Sequence, residues 1–335
     1  MKILATLGPS SMNEQTVRQC AEQDIHLFRI NLSHTRAEDI GDVINQIRQW
    51  TDVPICLDSE GAQIRNQNMK DGASTFVQGA VVTIAYETVV GDENTISFTP
   101  LGIARQFEVG DEIRLDFNGV HLKVVDKGGD SCSAKVIRGG VVGSNKAADI
   151  DRVLDLQPIT DKDVKAIEIG KKRGIKNFAL SFANTAEDVR QMRQLCGADA
   201  RIISKIESRS GLTHLRDILK ETDEALIDRG DLSRQVPLEK IPFLQRRIIS
   251  SAKSLHTPIY VATNLLESMI HTHAPTRAEL NDVVSTLLMG ADGAVLAAET
   301  AIGKYPIDAV RMIRTLANEV EKWTDCSTIE EILNS

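Results

Sequence analysis

Basic, acidic and hydroxylated side chains recur in this chain just after short apolar runs, and their types point to a narrow chemistry. Arg29, Arg65 and Lys205 are cations so placed. Guanidinium forks match planar oxyanions and a lysine ammonium is a mobile point charge, so together they suit a phosphate or carboxylate ligand. Glu207 and Asp231 follow later runs, and magnesium commonly takes one or two carboxylates and fills its shell with water and substrate oxygens. Asp58 with Asn31, Ser33 and Ser59 makes a second oxygen-rich group, fit for a monovalent cation. Thr6, Pro9, His34, Glu60, Ser181, Arg229, Thr263, Glu299 and Thr300 occupy comparable places. Taken singly, a cation at a strand end is usually a salt-bridge partner and a Ser or Asn a turn cap. The weight lies in their recurrence after nearly every run. No Ser/His/Asp ordering and no HExxH pattern competes, and from the residues alone Cys56 and the histidines, His34 included, read as structural.

The elements that must position these groups alternate. Short apolar runs at 3–7, 25–30 and 53–57 are separated by helical patterns at 13–23 and 36–50, the latter opened by Ser33 or Thr35 as a candidate cap. The rhythm resumes with a helix at 161–173, strands at 177–181, 201–205, 224–228, 258–262 and 293–297, and a last helix at 306–323. Three strands before a break and five after make eight, the count of a closed (β/α)8 barrel, although an open doubly wound sheet has the same grammar. In a barrel, residues just past the strands form one functional rim. Between the two series, runs at 75–77, 81–86, 95–98, 112–115, 122–125 and 133–137 alternate in polarity and are broken by Gly91-Asp92, Asn118-Gly119 and Gly128-Gly129, which favours antiparallel β structure. The expected organisation is an α/β TIM barrel in two parts, 1–66 and 151–325, with a small β-barrel domain at 67–150 inserted after strand three and a tail at 326–335.

Composition excludes several functions. At 335 residues the chain can bury a barrel-sized core without staples, and no stretch approaches the ~20 apolar residues of a membrane helix. The N-terminus turns at Gly8-Pro9 after a short apolar run, unlike a signal peptide, so a cytoplasmic address is expected. Five cysteines without a CxxC argue against both a disulfide framework and a zinc site. A net charge of −8 with three Tyr and two Trp offers neither a basic field nor stacking platforms, so nucleic acid is not an expected partner. Small-molecule substrates are, and a homo-oligomer through barrel surfaces is compatible with the pattern.

At these residues the chain resembles the pyruvate kinase family, in separate blocks that keep the family order: KILATLGPSS, FRINLSHT, LDSEGAQIR, IISKIESRSGL, DRGDLS, VATNLLESMI, PTRAELNDV and ETAIGKYPIDAV. The resemblance implies transfer of a phosphoryl group between phosphoenolpyruvate and ADP or ATP, with magnesium (or manganese) and potassium as cofactors. By the same resemblance Arg29 and Lys205 contact the transferred group, Glu207 and Asp231 hold magnesium, and Thr263 lies by the substrate and is implicated in proton delivery. The backbone at Gly230 and Asp231 cradles the substrate carboxylate. Asn31, Ser33, Asp58 and Ser59 match the potassium site, serine replacing threonine at the last. Arg65, Lys146, Pro9 and His34 fall on the nucleotide side, and the insert acts as a lid that excludes water.

Departures from the family pattern mark specificity candidates. Glu60 stands where the family has lysine, and Ala62-Gln63 replace Pro-Glu. Asp228 replaces a small alanine just before Arg229-Gly230-Asp231, where a new carboxylate would repel pyruvate or recognise a cationic or hydroxylated 2-oxoacid. Phe117 takes the place of a nucleotide-side acid, NKAADIDR replaces a glycine-rich run, and Ala298 and Asn264 are milder changes. The chain ends where the family's C-terminal domain begins, so classical effector control is expected to be absent. Two alternatives to the kinase stand: metal-dependent enolate chemistry on another 2-oxoacid without nucleotide, as in a lyase or decarboxylase, and a non-catalytic oxyacid-binding pseudoenzyme.

Overall fold

The computed structural model describes residues 1–61, 63–116, 119–152 and 154–334. Two compact units divide the chain, Met1–Gly61 with Pro158–Ser335, and Ala62–Gln157. In the first, eight parallel strands close on themselves: β1 (Lys2–Leu7), β2 (Leu27–Asn31), β3 (Ile55–Asp58), β4 (Asn177–Leu180), β5 (Arg201–Ile206), β6 (Glu224–Asp228), β7 (Ile259–Ala262) and β8 (Gly293–Leu296). Each pairs with its neighbour in sequence and β8 returns to β1, with Lys2 opposite Gly293 and Leu4 opposite Val295. The closure rules out the open sheet that the same grammar allowed.

Side chains alternate between the two faces of a strand, and that period builds the site. Ile3 and Ala5, Phe28 and Ile30, Ile55 and Leu57, Phe178 and Leu180 face outward into the main core against the helices. The intervening residues Leu4, Leu27, Cys56, Ala179, Ile203, Leu226, Tyr260 and Val295 form a separate apolar layer inside the barrel. Two positions further along six of these strands come Thr6, Arg29, Asp58, Ser181, Lys205 and Asp228, all buried. Polar groups from six consecutive strands thereby gather at one end of the barrel, beyond the apolar side chains of its interior.

The helices bury one apolar stripe each, and several are started by their caps. Thr160 and Asp163 form a reciprocal capping box on Asp161–Lys172, as do Thr185 with Asp188 on Ala186–Cys196 and Thr276 with Glu279 on Arg277–Leu288. The helix expected at 36–50 begins later, at Ile40–Trp50, and neither Ser33 nor Thr35 caps it. The reason is local: Thr35 donates its hydroxyl to the Asn31 carbonyl at 3.0 Å, and Asp39 N–H closes a turn on Arg36. No helix among the described residues is long and apolar enough to cross a membrane.

The second unit is a smaller closed barrel of seven strands, in the order Ser131–Arg138, Val81–Ala85, Thr95–Thr99, Ile64–Asn66, Ala147–Ile150, Glu112–Leu115, Val120–Lys127, with Ala73–Phe76 and Gly140–Gly143 paired beside it. Its limits are wider than 67–150 because Ile64–Asn66 pairs with both Ala147–Ile150 and Thr95–Thr99. Pairing is antiparallel, as the turn residues predict, except that Val81–Ala85 and Thr95–Thr99 run parallel, the segment at 86–94 carrying the chain back to its starting end. Ile84, Ile96, Phe98 and Phe107 lie in its core, the two rings edge to face at 5.6 Å. Ala62, Phe117 and Asn118 lie outside the described residues.

Candidate active site

Lys205 is the centre of the buried polar layer. It is 5% exposed, and its Nζ lies 2.7 Å from Glu207 Oε1, 3.5 Å from Asp58 Oδ1 and 3.8 Å from Asp228 Oδ2. It also donates to Ser181 Oγ at 3.0 Å. Burial works to strip its charge, but Asp58, Glu207 and Asp228 outweigh it and hold the group above the ordinary lysine range. Lys205 is therefore a fixed ammonium. Arg29 stands beside it, donating through Nε to Thr6 Oγ1 at 2.9 Å, while Thr6 donates to the Leu296 carbonyl at 2.8 Å. Its Nη1 is 3.2 Å from Asp58 Oδ2, yet it has no aligned hydrogen-bond acceptor among the described residues. A buried guanidinium nitrogen with protons to spare is suited to an oxyanion.

Carboxylate oxygens of Glu207, Asp228 and Asp231 lie within 4.8 Å of one another. Burial pushes Glu207 up to about 8, against the pull of Lys205 and with the help of Asp231 and Asp228. Asp231 is raised for the same reason, burial and Asp228 outweighing Arg234, whose Nη1 is 2.7 Å from Asp231 Oδ1. Asp228 moves the other way: burial opposes its charge, but Lys205 and a hydrogen bond from Thr263 lower it. Glu207 accepts the Phe182 N–H through Oε2 at 2.6 Å, while Oε1 meets Lys205 without an aligned hydrogen bond. The donor set is hard and remains net anionic, three carboxylates against Lys205 and Arg234, which fits magnesium or manganese. Asp228 was legible as a specificity position but not as a neighbour of the metal candidates; the signal lay in strand parity, two residues beyond Leu226.

Thr263, at the exit of β7, donates its hydroxyl to Asp228 Oδ1 at 2.6 Å. Its φ of 74° places a β-branched residue in the left-handed region, at a cost of about 1–3 kcal/mol that the surroundings must hold. The next residue, Asn264, is also left-handed. Gly230 N–H donates to the same Asp228 oxygen at 3.2 Å.

The other candidates divide. Asn31 and Asp58 are register partners on β2 and β3, but Asn31 Oδ1 accepts the Ser33 N–H at 2.9 Å and Asp58 already faces Arg29 and Lys205. Ser59 is engaged twice by Ser181, its carbonyl accepting the hydroxyl at 2.7 Å and its Oγ accepting the N–H at 2.9 Å. Pro9 lies in the turn after β1, where Ser11 and Met12 N–H groups close on the Gly8 carbonyl, and His34 N–H donates to the Asn31 carbonyl at 3.2 Å. Glu60 is turned to Lys162, whose Nζ bonds both Glu60 Oε1 at 2.9 Å and the Leu32 carbonyl at 2.6 Å. Its charge is thus answered by a residue about a hundred positions away. Within the insert unit, Arg65 is opposite Ala147 across two paired strands and donates to the Asn145 carbonyl at 2.9 Å, and Lys146 is 3.5 Å from Asp116. The two nucleotide candidates thus lie on adjacent segments of the insert unit. Phe117 lies outside the described residues.

An eight-stranded barrel interrupted after its third strand by a small β-barrel, with an ammonium, a guanidinium and three carboxylates at its strand exits, defines a class of α/β barrel scaffold fitted to oxyanions and hard cations. Residues 1–310 match the family model described as pyruvate kinase, barrel domain, and the chain belongs to the pyruvate kinase family. It is 33% identical over 333 residues to the pyruvate kinase of Bacillus licheniformis and 35% identical over 333 residues to that of Geobacillus stearothermophilus, covering 96% of this chain and 57% of each relative. The Thermotoga maritima pyruvate kinase is 31% identical over 330 residues, with 71% of its length covered. A crystal structure of a pyruvate kinase from Cryptosporidium parvum superposes with a TM-score of 0.86 at 28% identity, covering 97% of this chain and 70% of that one. The chain therefore spans little more than half the length of the first two relatives.

Proposed function

We propose that this chain transfers a phosphoryl group between phosphoenolpyruvate, or a related enol phosphate of a 2-oxoacid, and ADP. The observation that carries the reading is the buried Lys205 ammonium set between Arg29 and the carboxylates Glu207, Asp228 and Asp231. Lys205 and Arg29 would hold the phosphoryl oxygens, and Lys205 would stabilise the enolate left when the phosphoryl group departs. Glu207 and Asp231 would hold magnesium or manganese, which when bound supplies Lewis-acid neutralisation of the phosphate and enolate oxygens. Thr263 and the Gly230–Asp231 backbone would border the oxyacid. Arg65, Lys146, Pro9 and His34 are the nucleotide candidates of this reading. Potassium at Asn31, Ser33, Asp58 and Ser59 belongs to the same reading, as do small-molecule partners, a cytoplasmic setting and a homo-oligomer through barrel surfaces. A coupled assay with phosphoenolpyruvate, ADP, magnesium and potassium tests it; turnover no faster than that of Lys205→Met would sink it.

A second reading, enolate chemistry on a 2-oxoacid without nucleotide, draws on one observation. The cation and carboxylate groups all belong to the barrel unit, whereas Arg65 and Lys146 belong to the insert. Deuterium exchange into a 2-oxoacid with magnesium, in the absence of any ADP or ATP binding, would favour it over the kinase. Binding alone gives no reason for a strained Thr263 bonded to Asp228, which weighs against a non-catalytic protein.

A further inference from the structure

Three consecutive residues at the exit of β6 grip one residue at the exit of β7. Asp228 Oδ1 takes the Thr263 hydroxyl at 2.6 Å. Arg229 donates through Nε and Nη2 to the Thr263 carbonyl at 3.1 and 2.7 Å, and is itself anchored on Asp282 at 2.7 Å. At Gly230 a Cβ would lie 2.8 Å from Thr263 Cγ2, so only glycine leaves room for the methyl group. Backbone, methyl and hydroxyl of Thr263 are all fixed from one side.

The direction of the hydroxyl follows. Threonine has one O–H donor and two acceptor positions, and here the donor is committed to a carboxylate in a short charge-assisted bond. Thr263 is only partly buried, so what it offers a bound ligand is lone pairs. Asp228 Oδ2 faces the same layer, 3.8 Å from Lys205 Nζ, and is an acceptor as well. Two neighbouring acceptors recognise a donor. An alanine at 228 would leave the Thr263 proton free to be given to a ligand, and the preference would reverse.

We propose that Asp228 and Thr263 form a specificity pair selecting 2-oxoacids, or their enol phosphates, that carry a hydroxyl or ammonium donor on the carbon next to the carbonyl. Asp228 acts in two ways, accepting from the ligand through Oδ2 and holding the Thr263 hydroxyl through Oδ1. The selection rests on the oxyacid reading of Lys205 and Arg29 given above and narrows its substrate. A ligand with a methyl group there, such as pyruvate, leaves both acceptors unmatched, and sites built to bond a hydroxyl reject the analogue that lacks it.

The test is calorimetric binding of pyruvate and 3-hydroxypyruvate, each with magnesium, to the full chain and to Asp228→Ala, Asp228→Asn, Thr263→Val and the Asp228→Ala/Thr263→Val double variant. The full chain should bind hydroxypyruvate at least about tenfold more tightly than pyruvate. Asp228→Ala and Thr263→Val should each bring that ratio close to one, and the double variant should change it no further, since the two act as a unit. Asp228→Asn keeps an acceptor oxygen for the hydroxyl and should retain part of the preference; it also supplies the readout if the alanine variant does not fold. A ratio near one in the full chain, or one unmoved by both Asp228 variants, overturns the selectivity while leaving the oxyacid site standing. Failure of both oxoacids to bind overturns the site and the selectivity together.

Discussion

Binding of magnesium should release a proton from the Glu207, Asp228 and Asp231 group, and its affinity should climb with pH. Burial raises Glu207 from an ordinary 4.5 to about 8, so near neutrality the ion must displace a proton that the carboxylate holds. One displaced proton weakens the apparent affinity about tenfold for each unit below the pKa, which amounts to roughly a hundredfold between pH 9 and pH 6. The same shift has a stability consequence. Between 4.5 and about 8 the folded chain holds this proton more firmly than the unfolded one, so without metal stability falls as pH rises through that window. Added magnesium should offset the loss, raising Tm more at pH 8 than at pH 6. Titration calorimetry in two buffers of different ionisation enthalpy counts the proton directly, and Glu207→Gln should reduce both the release and the pH dependence, leaving what Asp231 contributes. Affinity that is flat from pH 6 to pH 9, with no proton released at pH 7, would refute the reasoning.

Three substitutions probe the supports. Gly230→Ala places a methyl group 2.8 Å from Thr263 Cγ2 and should cost about 1–3 kcal/mol in denaturant unfolding; an unchanged midpoint would show that the grip yields. Leu226→Ala opens the apolar layer beneath Lys205 and should cost about 2–5 kcal/mol by the same measurement. Glu60→Gln should alter oxyacid affinity by less than about twofold, because its partner is Lys162 and a partly exposed pair of this kind contributes at most about 1 kcal/mol; a larger change in calorimetric Kd would place Glu60 at the ligand.

Much of this arrangement was legible in the sequence because a parallel barrel strand is a two-residue repeat. Leu27 then Arg29, Cys56 then Asp58, and Ile203 then Lys205 each read as an apolar residue followed by a polar one on the same face, and the structure stacks them in that order. Strand ends were accurate to a residue or two, as for β6 at Glu224–Asp228. What escaped depends on pairs distant in sequence. Nothing near Glu60 announces Lys162, and nothing near Thr263 announces that Asp228 accepts its hydroxyl hydrogen bond. The start of helix Ile40–Trp50 was misjudged because Thr35, a good capping type, spends its hydroxyl on Asn31 instead. In the insert, Val81–Ala85 and Thr95–Thr99 alternate as an antiparallel hairpin would, so their parallel pairing had no local signal.

The central claim is that Lys205, flanked by Arg29 and the carboxylate group, serves phosphoryl transfer rather than oxyacid binding alone. Phosphorus NMR of the chain with magnesium, potassium, phosphoenolpyruvate and ADP follows the phosphoryl group itself. The account predicts a resonance for ATP growing as that of phosphoenolpyruvate falls, at a rate about a hundredfold or more above Lys205→Met. An unchanged phosphoenolpyruvate signal, with calorimetry showing the same compound bound, would contradict it.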